Sequence, residues 1–301
     1  AGNISCLGGG EKTGKTQVLS GAIGSTYTTG NGDTLGMESY NPEHHAVIYL
    51  DCEMSEWDFA QTVSRSARMA RQDNLPEWVY AYTLTGMAPS ETWKALDEIT
   101  SLAIEETGGI HLVLIDGYAD LVKSPNDEQE SFEAVRRLHA YSLEYNTAVL
   151  GVLHHNTGSD SHKMRGHIGS QAERKSETIL TLEKDGDDAS ILYIKKARHA
   201  PLPKNKGVRI GWHDEAKRFV TLQSKTEEKA SAQDEKNWQL IHATFQADPG
   251  LSHKELVDRL MEQTGSTRDA SKKRLSRLRD AGYIKMQVGT GYYHKGDSRP
   301  C

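Results

Sequence analysis

The first 222 residues alternate short apolar runs with longer segments whose apolar residues recur at helical spacing. This alternation is typical of a parallel β-sheet whose strands are connected by crossover helices. Two of the runs, 110–115 and 148–153, are almost continuously apolar, which indicates strands that are buried on both faces. We therefore predict an α/β domain over residues 1–222, with a mainly parallel sheet flanked by helices. The predicted strands cover residues 4–7, 46–50, 79–84, 110–115, 148–153, 178–182, 191–194, 208–210 and 218–222.

The pattern changes after residue 222. Residues 223–234 are polar and lack an apolar stripe, so we interpret them as a linker. Three helix-patterned segments follow, at 235–246, 252–262 and 267–281, and then two strand-like segments separated by the sequence GTG. Three helices closed by a glycine-tipped hairpin predict a small C-terminal winged helix-turn-helix domain over residues 235–296, with 297–301 as a tail.

A glycine-rich segment lies between the first predicted strand and a helix-compatible run. Residues 9–16 read GGEKTGKT, a complete GxxxxGKT phosphate-binding loop in the strand, turn and helix context that this motif needs. Backbone N–H groups and the helix N-terminus would surround a phosphate, Lys15 would reach the terminal phosphates, and Thr16 would bind Mg²⁺. The alternative is a glycine-rich turn that binds nothing. The predicted nucleotide-binding residues are Gly9, Gly10, Glu11, Lys12, Thr13, Gly14, Lys15, Thr16 and Gln17.

Composition narrows the class of protein. The chain has 301 residues, of which 26% are charged and 36% hydrophobic, as expected for a globular protein. It contains no apolar run of membrane-spanning length and no visible signal peptide, so we expect a cytoplasmic protein without a membrane partner. Cys6, Cys52 and Cys301 are spaced for neither a disulfide framework nor a CxxC metal site. The net charge of −6 argues against a protein that coats nucleic acid with its whole surface.

Carboxylates follow two of the predicted strands. Asp116 ends the apolar segment IHLVLID, where a Walker B carboxylate would orient Mg²⁺ beside the phosphate loop. The alternative for this residue is a cap on the next turn. Asp51 and Glu53 lie in the segment VIYLDCEMS at 47–55. The alternative there is an N-cap cluster in which Ser55 caps a helix that begins near Glu56.

With these motifs the chain resembles RecA-like ATPases and, within them, the ring-forming replicative helicases and the plasmid RepA-type helicases. Those proteins carry a Glu followed by Met-Ser or a similar pair at the end of the corresponding strand, as is the case for Glu53 here. The resemblance extends over about residues 3–222 and implies a RecA-like P-loop NTPase fold. It also implies that Glu53 polarises the attacking water, with Asp51 as a second candidate.

The next predicted strand ends in a pair of histidines, His154 and His155, followed by Asn156. In RecA-like helicases a polar side chain at this position senses the γ-phosphate, usually a Gln and in the RepA-like group often one of a His pair. The resemblance therefore assigns His154 to this role, with His155 or Asn156 as alternatives. A zinc site built from His154, His155, His162 and His167 is a competing interpretation, although these spacings match no familiar ligand pattern.

The segment 194–201, IKKARHAP, is similar to the KxRxxP segment of replicative helicases. In that family the Lys and the Arg reach across a subunit interface to the γ-phosphate of the neighbour, which assigns Lys196 and Arg198 to catalysis in trans. Such an arginine contributes about 10³ to 10⁵ in rate. The alternative is a solvated strand end whose surface ion pairs contribute at most about 1 kcal/mol each.

Two basic regions are candidates for DNA binding. The polar segment 156–171, NTGSDSHKMRGHIGSQ, resembles in its position the mobile loop that faces the channel of RecA-like proteins, with Lys163 and Arg165 as backbone contacts and glycines for flexibility (Gly158, Gly166 and Gly169). A disordered surface loop is the alternative. The third C-terminal helix carries a basic cluster that suits duplex DNA, whereas a protein-docking module is the alternative. The cluster comprises Arg268, Lys272, Lys273, Arg274 and Arg277.

Together these features predict an ATP-hydrolysing, helicase-type motor with ATP and Mg²⁺ as cofactors. The RepA-like resemblance implies replication of a plasmid, phage or mobile element by a homo-oligomer, with a hexamer as one arrangement. Single-stranded DNA would pass through the ATPase ring, and duplex DNA or a protein would bind the winged helix. The main alternative is a nucleotide-gated DNA-binding regulator or adaptor in which ATP controls oligomerisation without unwinding. A RecA-like recombinase or clock-type ATPase is a third alternative.

Overall fold

The chain forms two compact units, Ala1–Leu222 and Gln223–Cys301. The structure is a computed structural model that describes residues 2–156 and 163–296. The first unit contains two layers of buried apolar residues, and the second has a separate apolar core. Over the described ranges, the structure contains no helix that is both long enough and apolar enough to cross a membrane.

The first unit is organised around one large sheet. The strands that the structure describes in this unit are β1 (Asn3–Gly9), β2 (Ala46–Asp51), β3 (Val79–Thr83), β4 (Ile110–Asp116), β5 (Ala148–His154), β6 (Thr178–Lys184), β7 (Ala189–Ala197), β8 (Val208–His213) and β9 (Arg218–Thr221). They form a sheet in the order β3-β2-β4-β5-β1-β6-β7-β8-β9. Strands β1 to β6 pair in parallel, whereas β7, β8 and β9 extend the sheet with antiparallel pairing.

Helices cover both faces of this sheet. They are α1 (Lys15–Ser25), α2 (Glu56–Ala70), α3 (Pro89–Thr107), α4 (Glu128–Glu144) and α5 (Gly166–Lys175). Successive side chains of a strand point to opposite faces. Ile48 and Leu50 accordingly pack into the apolar layer formed with α3, α4 and α5, while Tyr49 packs into the layer formed with α1 and α2. The predicted α/β architecture, with a mostly parallel central sheet flanked by helices, is confirmed.

The second unit combines helices with a small sheet. Its described elements are α6 (Lys225–Thr244), β10 (Gly250–Leu251), α7 (His253–Thr264), α8 (Arg268–Asp280), β11 (Ile284–Met286) and β12 (Tyr293–Lys295). The strands pair antiparallel in the order β10-β12-β11. Ile241, Leu256 and Leu275 bring one face of each helix into a common core.

The segment predicted as a linker, 223–234, is helical from Lys225 onward. Ser224 and Glu227 form a capping box, in which the Ser224 hydroxyl accepts from the Glu227 N–H at 3.2 Å and the Glu227 carboxylate accepts from the Ser224 N–H at 2.7 Å. Ala, Glu and Lys, which favour helix, fill most of the first turns. The side chains from 227 to 233 are exposed, so the sequence shows no apolar stripe although the helix is present.

Candidate functional site

The phosphate-loop motif and three candidate residues lie at the edge of the sheet where the parallel strands have their carboxyl ends. The three residues are Glu53, Asp116 and His154. The carboxyl ends of parallel strands share an edge, and ligands of open α/β sheets bind outside it. In the pairing register Gly9 lies beside His154, and Asp51 lies beside Asp116. Residues that are distant in sequence therefore converge at the start of α1.

The loop has the backbone shape that its glycines permit. Gly14 has φ 96°, a left-handed conformation that favours glycine, and α1 begins after it without a side-chain cap. A Cβ at Gly14 would lie 3.0 Å from the Phe219 ring, and one at Gly9 would lie 2.9 Å from the Thr13 hydroxyl. The uncapped first turn leaves N–H groups that suit an anion. Among the other predicted loop residues, Glu11 and Lys12 are exposed, whereas Thr13 and Gln17 are buried.

Lys15 is a nearly buried cation at this edge. It is 8% exposed, and its ammonium donates to the carbonyl oxygens of Gly10 at 2.8 Å and Gly9 at 3.3 Å. Among residues 2–156 and 163–296, no carboxylate forms an ion pair with it. Burial lowers the pKa of Lys15, and the charges of Asp116, Glu53 and Glu11 oppose that shift only in part. A phosphate beside Lys15 would add further negative charge and stabilise the ammonium form.

Thr16 and Asp116 form the candidate metal site. The Thr16 hydroxyl donates to the Asp116 carboxylate at 2.8 Å, and Asp116 is 3% exposed. Burial raises the pKa of Asp116 to about 6, and the hydrogen bond from Thr16 opposes that shift. A hydroxyl and a carboxylate are hard oxygen donors of the kind Mg²⁺ prefers. The residues present therefore fit a divalent cation, which Thr16 and Asp116 would hold next to the phosphate loop.

His154 connects the loop lysine to Glu53. Its Nδ1 lies 3.4 Å from the Lys15 ammonium nitrogen, and its Nε2 lies 3.7 Å from a Glu53 carboxylate oxygen. Hydrogen bonding with His154 is the largest cause that lowers the pKa of Glu53. The side chains of His154 and Glu53 are 39% and 44% exposed, so both reach the open edge. His155 instead lies behind β1, where a Cβ on Gly8 would be 2.4 Å from its Nε2.

Asp51 and Glu53 are separated by one residue, but their surroundings differ. Asp51 is fully buried, and its carboxylate accepts from the Met54 N–H at 3.0 Å and from the Thr83 hydroxyl at 3.5 Å. The Thr85 hydroxyl donates to the Met54 carbonyl at 2.8 Å on the other side of the same turn. Asp51 therefore holds the turn that presents Glu53. Ser55 is the N-cap of α2, as the capping alternative expected, which leaves Glu53 outside the cap.

A family model described as an AAA domain matches residues 1–160. The chain belongs to this AAA-domain family. Membership supports a P-loop ATPase and implies nucleotide binding with a divalent metal. No curated protein matches the chain. The matched span of the AAA domain contains Lys15, Glu53, Asp116 and His154, whereas Lys196 and Arg198 lie beyond it.

The structure does not bring Lys196 and Arg198 to the AAA-domain site of the same chain. Lys196 pairs with Ile179 near the start of β6, and Ala197 pairs with Thr178, the first residue of that strand. The strand therefore runs away from the phosphate-loop edge toward the opposite edge. The Lys196 ammonium donates to the carbonyl oxygens of Glu173 at 2.9 Å and Ser176 at 3.3 Å, where α5 ends.

Arg198 is exposed at that opposite edge. The pKa of His139 on α4 is lowered, mainly by burial and further by the positive charges of Lys175 and Arg198. Of the two predicted trans-acting residues, Lys196 has a local structural role, and Arg198 is the one that is free to extend from the surface.

The candidate single-strand loop begins and ends next to His154. Arg165 donates its N–H to the His154 carbonyl at 2.8 Å, and Asn156 donates its N–H to the Lys163 carbonyl at 2.9 Å. The side chains of Lys163 and Arg165 are exposed. Gly158, and His162 of the zinc interpretation, lie outside the described residues. Among the described residues, no group of three or more His, Cys, Asp or Glu side chains is arranged to hold a metal.

The basic cluster of α8 separates into residues with different surroundings. Lys272, Lys273 and Arg277 are exposed. Arg268 forms an ion pair with Asp258 of α7 at 3.4 Å, which ties it to its own unit. Arg274 is half-buried on the side of α8 that faces α6.

Sequence reasoning did not identify the aromatic residues beside the phosphate loop. Phe219 of β9 contacts Gly14, and the Trp212 ring of β8 lies 6.0 Å from the Phe219 ring, centroid to centroid. The Arg65 guanidinium of α2 lies 5.8 Å from the Trp212 centroid, and Trp212 is 43% exposed. The order of strands β7 to β9 brings these residues to α1, and no local sequence pattern marks that proximity.

Proposed function

We propose that this AAA-domain protein is an ATP-hydrolysing, RecA-like motor of the helicase type that acts on DNA as a homo-oligomer. The observation that carries the proposal is the path from Lys15 through His154 to the segment that contains Lys163 and Arg165. His154 lies 3.4 Å from Lys15, and its carbonyl accepts from Arg165 at 2.8 Å. A displacement of His154 at the nucleotide would therefore move the base of the candidate DNA loop.

Each residue of the site then has a role in hydrolysis. Lys15 neutralises phosphate charge, and Thr16 and Asp116 hold Mg²⁺, which supplies Lewis-acid stabilisation when bound. Glu53 accepts a hydrogen bond from the attacking water and orients it. His154 reports whether a terminal phosphate is present. Arg198 lies at the opposite edge of the sheet, away from the pocket of its own chain. It therefore supplies positive charge to the transition state in the pocket of a neighbouring copy.

Aromatic side chains beside Gly14 support binding of a nucleoside. Trp212 is partly exposed, and Phe219 packs directly on the glycine that precedes α1. The Nε of Arg65 is buried and has no hydrogen-bond partner among the described residues. An aromatic ring and a guanidinium are suitable partners for a flat base.

The second unit supports a winged helix-turn-helix that recruits the motor to duplex DNA. The helices α7 and α8 are joined by the short segment 265–267, in which Gly265 has φ 64°, and β11 and β12 form the hairpin that would be the wing. Exposed Lys272 and Lys273 on α8 suit contact with the major groove or its phosphates. Replication of a plasmid, phage or mobile element is the setting that the resemblance favours.

The α8 surface also favours a second candidate, a nucleotide-gated regulator that binds duplex DNA without unwinding it. Strand displacement distinguishes the two functions. For the motor we expect ATP-dependent displacement of a labelled strand, with ATPase activity stimulated by single-stranded DNA and both activities lost in Lys15→Ala. If the protein binds duplex DNA in an ATP-dependent manner but never displaces a strand, the motor proposal is wrong and the regulator is the supported function.

A further inference from the structure

A polar groove lies between α6 and α8 in the second unit. It has a volume of about 370 Å³, and its lining residues are Gln233, Asn237, Arg274, Arg277, Leu278 and Ala281. The α6 wall belongs to the segment that the sequence pattern assigned to a linker and to the turn directly after it. The helical structure of residues 225–237 is therefore what creates the groove.

Two guanidinium groups without an acidic partner define the chemistry of the groove. Arg259, Arg268 and Arg279 of the same unit each pair with an aspartate. Arg274 and Arg277, in contrast, form no ion pair with the described residues of the chain. They are three residues apart on α8, so both side chains lie on the same side of that helix. The groove therefore presents two guanidinium groups that no carboxylate of the described residues contacts as an ion pair.

The opposite wall supplies neutral amide groups. Gln233 and Asn237 lie one turn apart on α6, and the Gln233 amide donates to the Asn237 side-chain oxygen at 2.9 Å. Acids next to them on α6 have other partners: the Tyr283 hydroxyl donates to Asp234, and the Gln239 amide donates to Glu235 at 2.8 Å. No carboxylate lines the groove itself. An anion would meet guanidinium donors on one side and amide donors on the other.

The ligand class follows from this donor set. Arginine pairs with phosphate through two parallel hydrogen bonds, and amide side chains are frequent additional donors to DNA phosphates. The groove, at about 370 Å³, is too small for a base pair but large enough for a phosphodiester and the adjoining deoxyribose oxygens. We propose that it binds a backbone phosphate of duplex DNA, so that α6 as well as α8 contacts the duplex. The inference rests on the proposed DNA-binding function of the second unit.

With this site, different residues of α8 would have different roles. Ser271, Leu275 and Leu278 face the core, and Arg274 and Arg277 lie on the side toward α6. Lys272 and Lys273 are exposed and do not line that groove. Phosphate contacts fix the register and orientation of a protein on DNA without reading its sequence. The α6 groove would therefore orient the unit, and its loss would weaken binding to all duplex sequences by a similar factor.

Acidic substitutions on α6 test the proposal, because α6 carries none of the residues that a simple recognition-helix model needs. In the full-length chain, Gln233→Glu combined with Asn237→Asp places negative charge in the groove. Fluorescence anisotropy with a labelled duplex should show binding weakened about tenfold, with the slope of log K against log salt reduced by about one. Ala232→Glu combined with Ala243→Glu is the matched control, because it adds two charges at exposed positions of the same helix that do not line the groove, and it should change affinity less than about threefold. Far-ultraviolet circular dichroism during heating checks that both variants remain folded.

The outcomes separate failure of the inference from failure of the proposed function. If the wild-type chain does not bind duplex DNA, the DNA-binding role of the second unit is wrong. If Lys272→Ala with Lys273→Ala abolishes binding while the groove variant binds as the wild type does, the groove inference alone is overturned. Equal weakening by the groove variant and its control would also overturn it, because general charge would then explain the effect. Inorganic phosphate that shifts the Arg274 side-chain NMR signal, without any groove effect on duplex affinity, would mark a site for small anions instead.

Discussion

The two edges of the large sheet differ in how they hold their charges. At the edge where the parallel strands end, Lys15 and Asp116 are buried among backbone groups and polar side chains. At the opposite edge, Lys196 and Arg198 are exposed. Buried charges are fixed in position and are sensitive to a ligand, whereas exposed charges are free to meet another molecule. Under the proposed function, one copy of the chain would provide a nucleotide pocket at one edge and, at the other, a catalytic cation for the pocket of a neighbouring copy.

The largest effect should come from the exposed edge. Arg198→Ala should lower kcat for ATP by about 10³ to 10⁵, because the transition state loses a positive charge from the neighbouring copy. The Kd for a fluorescent ATP analogue should remain that of the wild type, because Arg198 is remote from the pocket of its own chain. Steady-state ATPase assays and equilibrium titration measure the two quantities. If Arg198→Ala hydrolyses ATP as fast as the wild type, the exposed edge has no catalytic role and the proposed distinction between the two edges is wrong.

At the buried edge, Glu53→Gln should lower kcat by about 10² to 10⁴ while KM changes little. The amide preserves the shape of the side chain but is a weaker partner for the attacking water. Single-turnover hydrolysis with saturating enzyme measures the chemical step directly. If Glu53→Gln instead fails to bind nucleotide, Glu53 is needed for the structure of the pocket and its proposed role in the chemical step is wrong.

Asp51 should act through the turn that carries Glu53. Asp51→Ala removes the acceptor for the Met54 N–H and the Thr83 hydroxyl, and a small displacement of Glu53 should cost about 10- to 100-fold in kcat. Asp51→Asn retains an acceptor oxygen and should restore most of the activity with an unchanged KM. If Asn is as damaging as Ala, the charge of Asp51 matters and the positioning role is wrong.

The burial of Asp116 predicts a dependence on pH. The pKa of this carboxyl is about 6, raised mainly by burial, and the metal requires its ionised form. The apparent affinity for Mg²⁺ should therefore rise as pH increases through about 6 and fall about tenfold per pH unit below it. Mg²⁺ titrations of ATPase activity between pH 5 and 8 test this, with pH-matched circular dichroism as the control. An affinity for Mg²⁺ that is flat across this range would contradict the metal role of Asp116.

The smallest effect concerns the other residue of the exposed edge. Lys196→Met should lower the free energy of unfolding by about 0.5 to 1.5 kcal/mol, because the carbonyl groups at the end of α5 lose a donor. Its effect on kcat should be far below that of Arg198→Ala. Chemical denaturation and ATPase assays measure both. If Lys196→Met loses as much turnover as Arg198→Ala does, Lys196 takes part in catalysis and its assignment as a structural residue is wrong.

Local patterns were sufficient to predict much of this arrangement. The strand, glycine loop and helix around Lys15 and the apolar strand before Asp116 depend on neighbouring residues, so the sequence indicates them directly. The parallel sheet then requires the strand ends to meet at one edge, which is how Glu53 and His154 come to lie near Lys15.

Other features depend on contacts that a sequence pattern does not contain. The proximity of Phe219 and Trp212 to Gly14 arises from the order of β8 and β9, the last two strands of the sheet. The side chains from 227 to 233 of α6 are exposed, so this part of the helix lacks the apolar periodicity by which helices are recognised. The difference between Asp51 and Glu53 is one of burial, which two acids in the same short segment do not reveal.

Mixing two inactive variants tests the central claim that one copy completes the site of another. Lys15→Ala retains Arg198 but has no functional pocket, while Arg198→Ala retains the pocket but lacks the cation. If catalysis occurs in trans, an equal mixture of the two proteins should recover up to about a quarter of wild-type ATPase activity, because about one interface in four joins an intact pocket to an intact Arg198. A mixture that remains as inactive as its separate components, under conditions in which the variants are shown to co-assemble, would contradict the account.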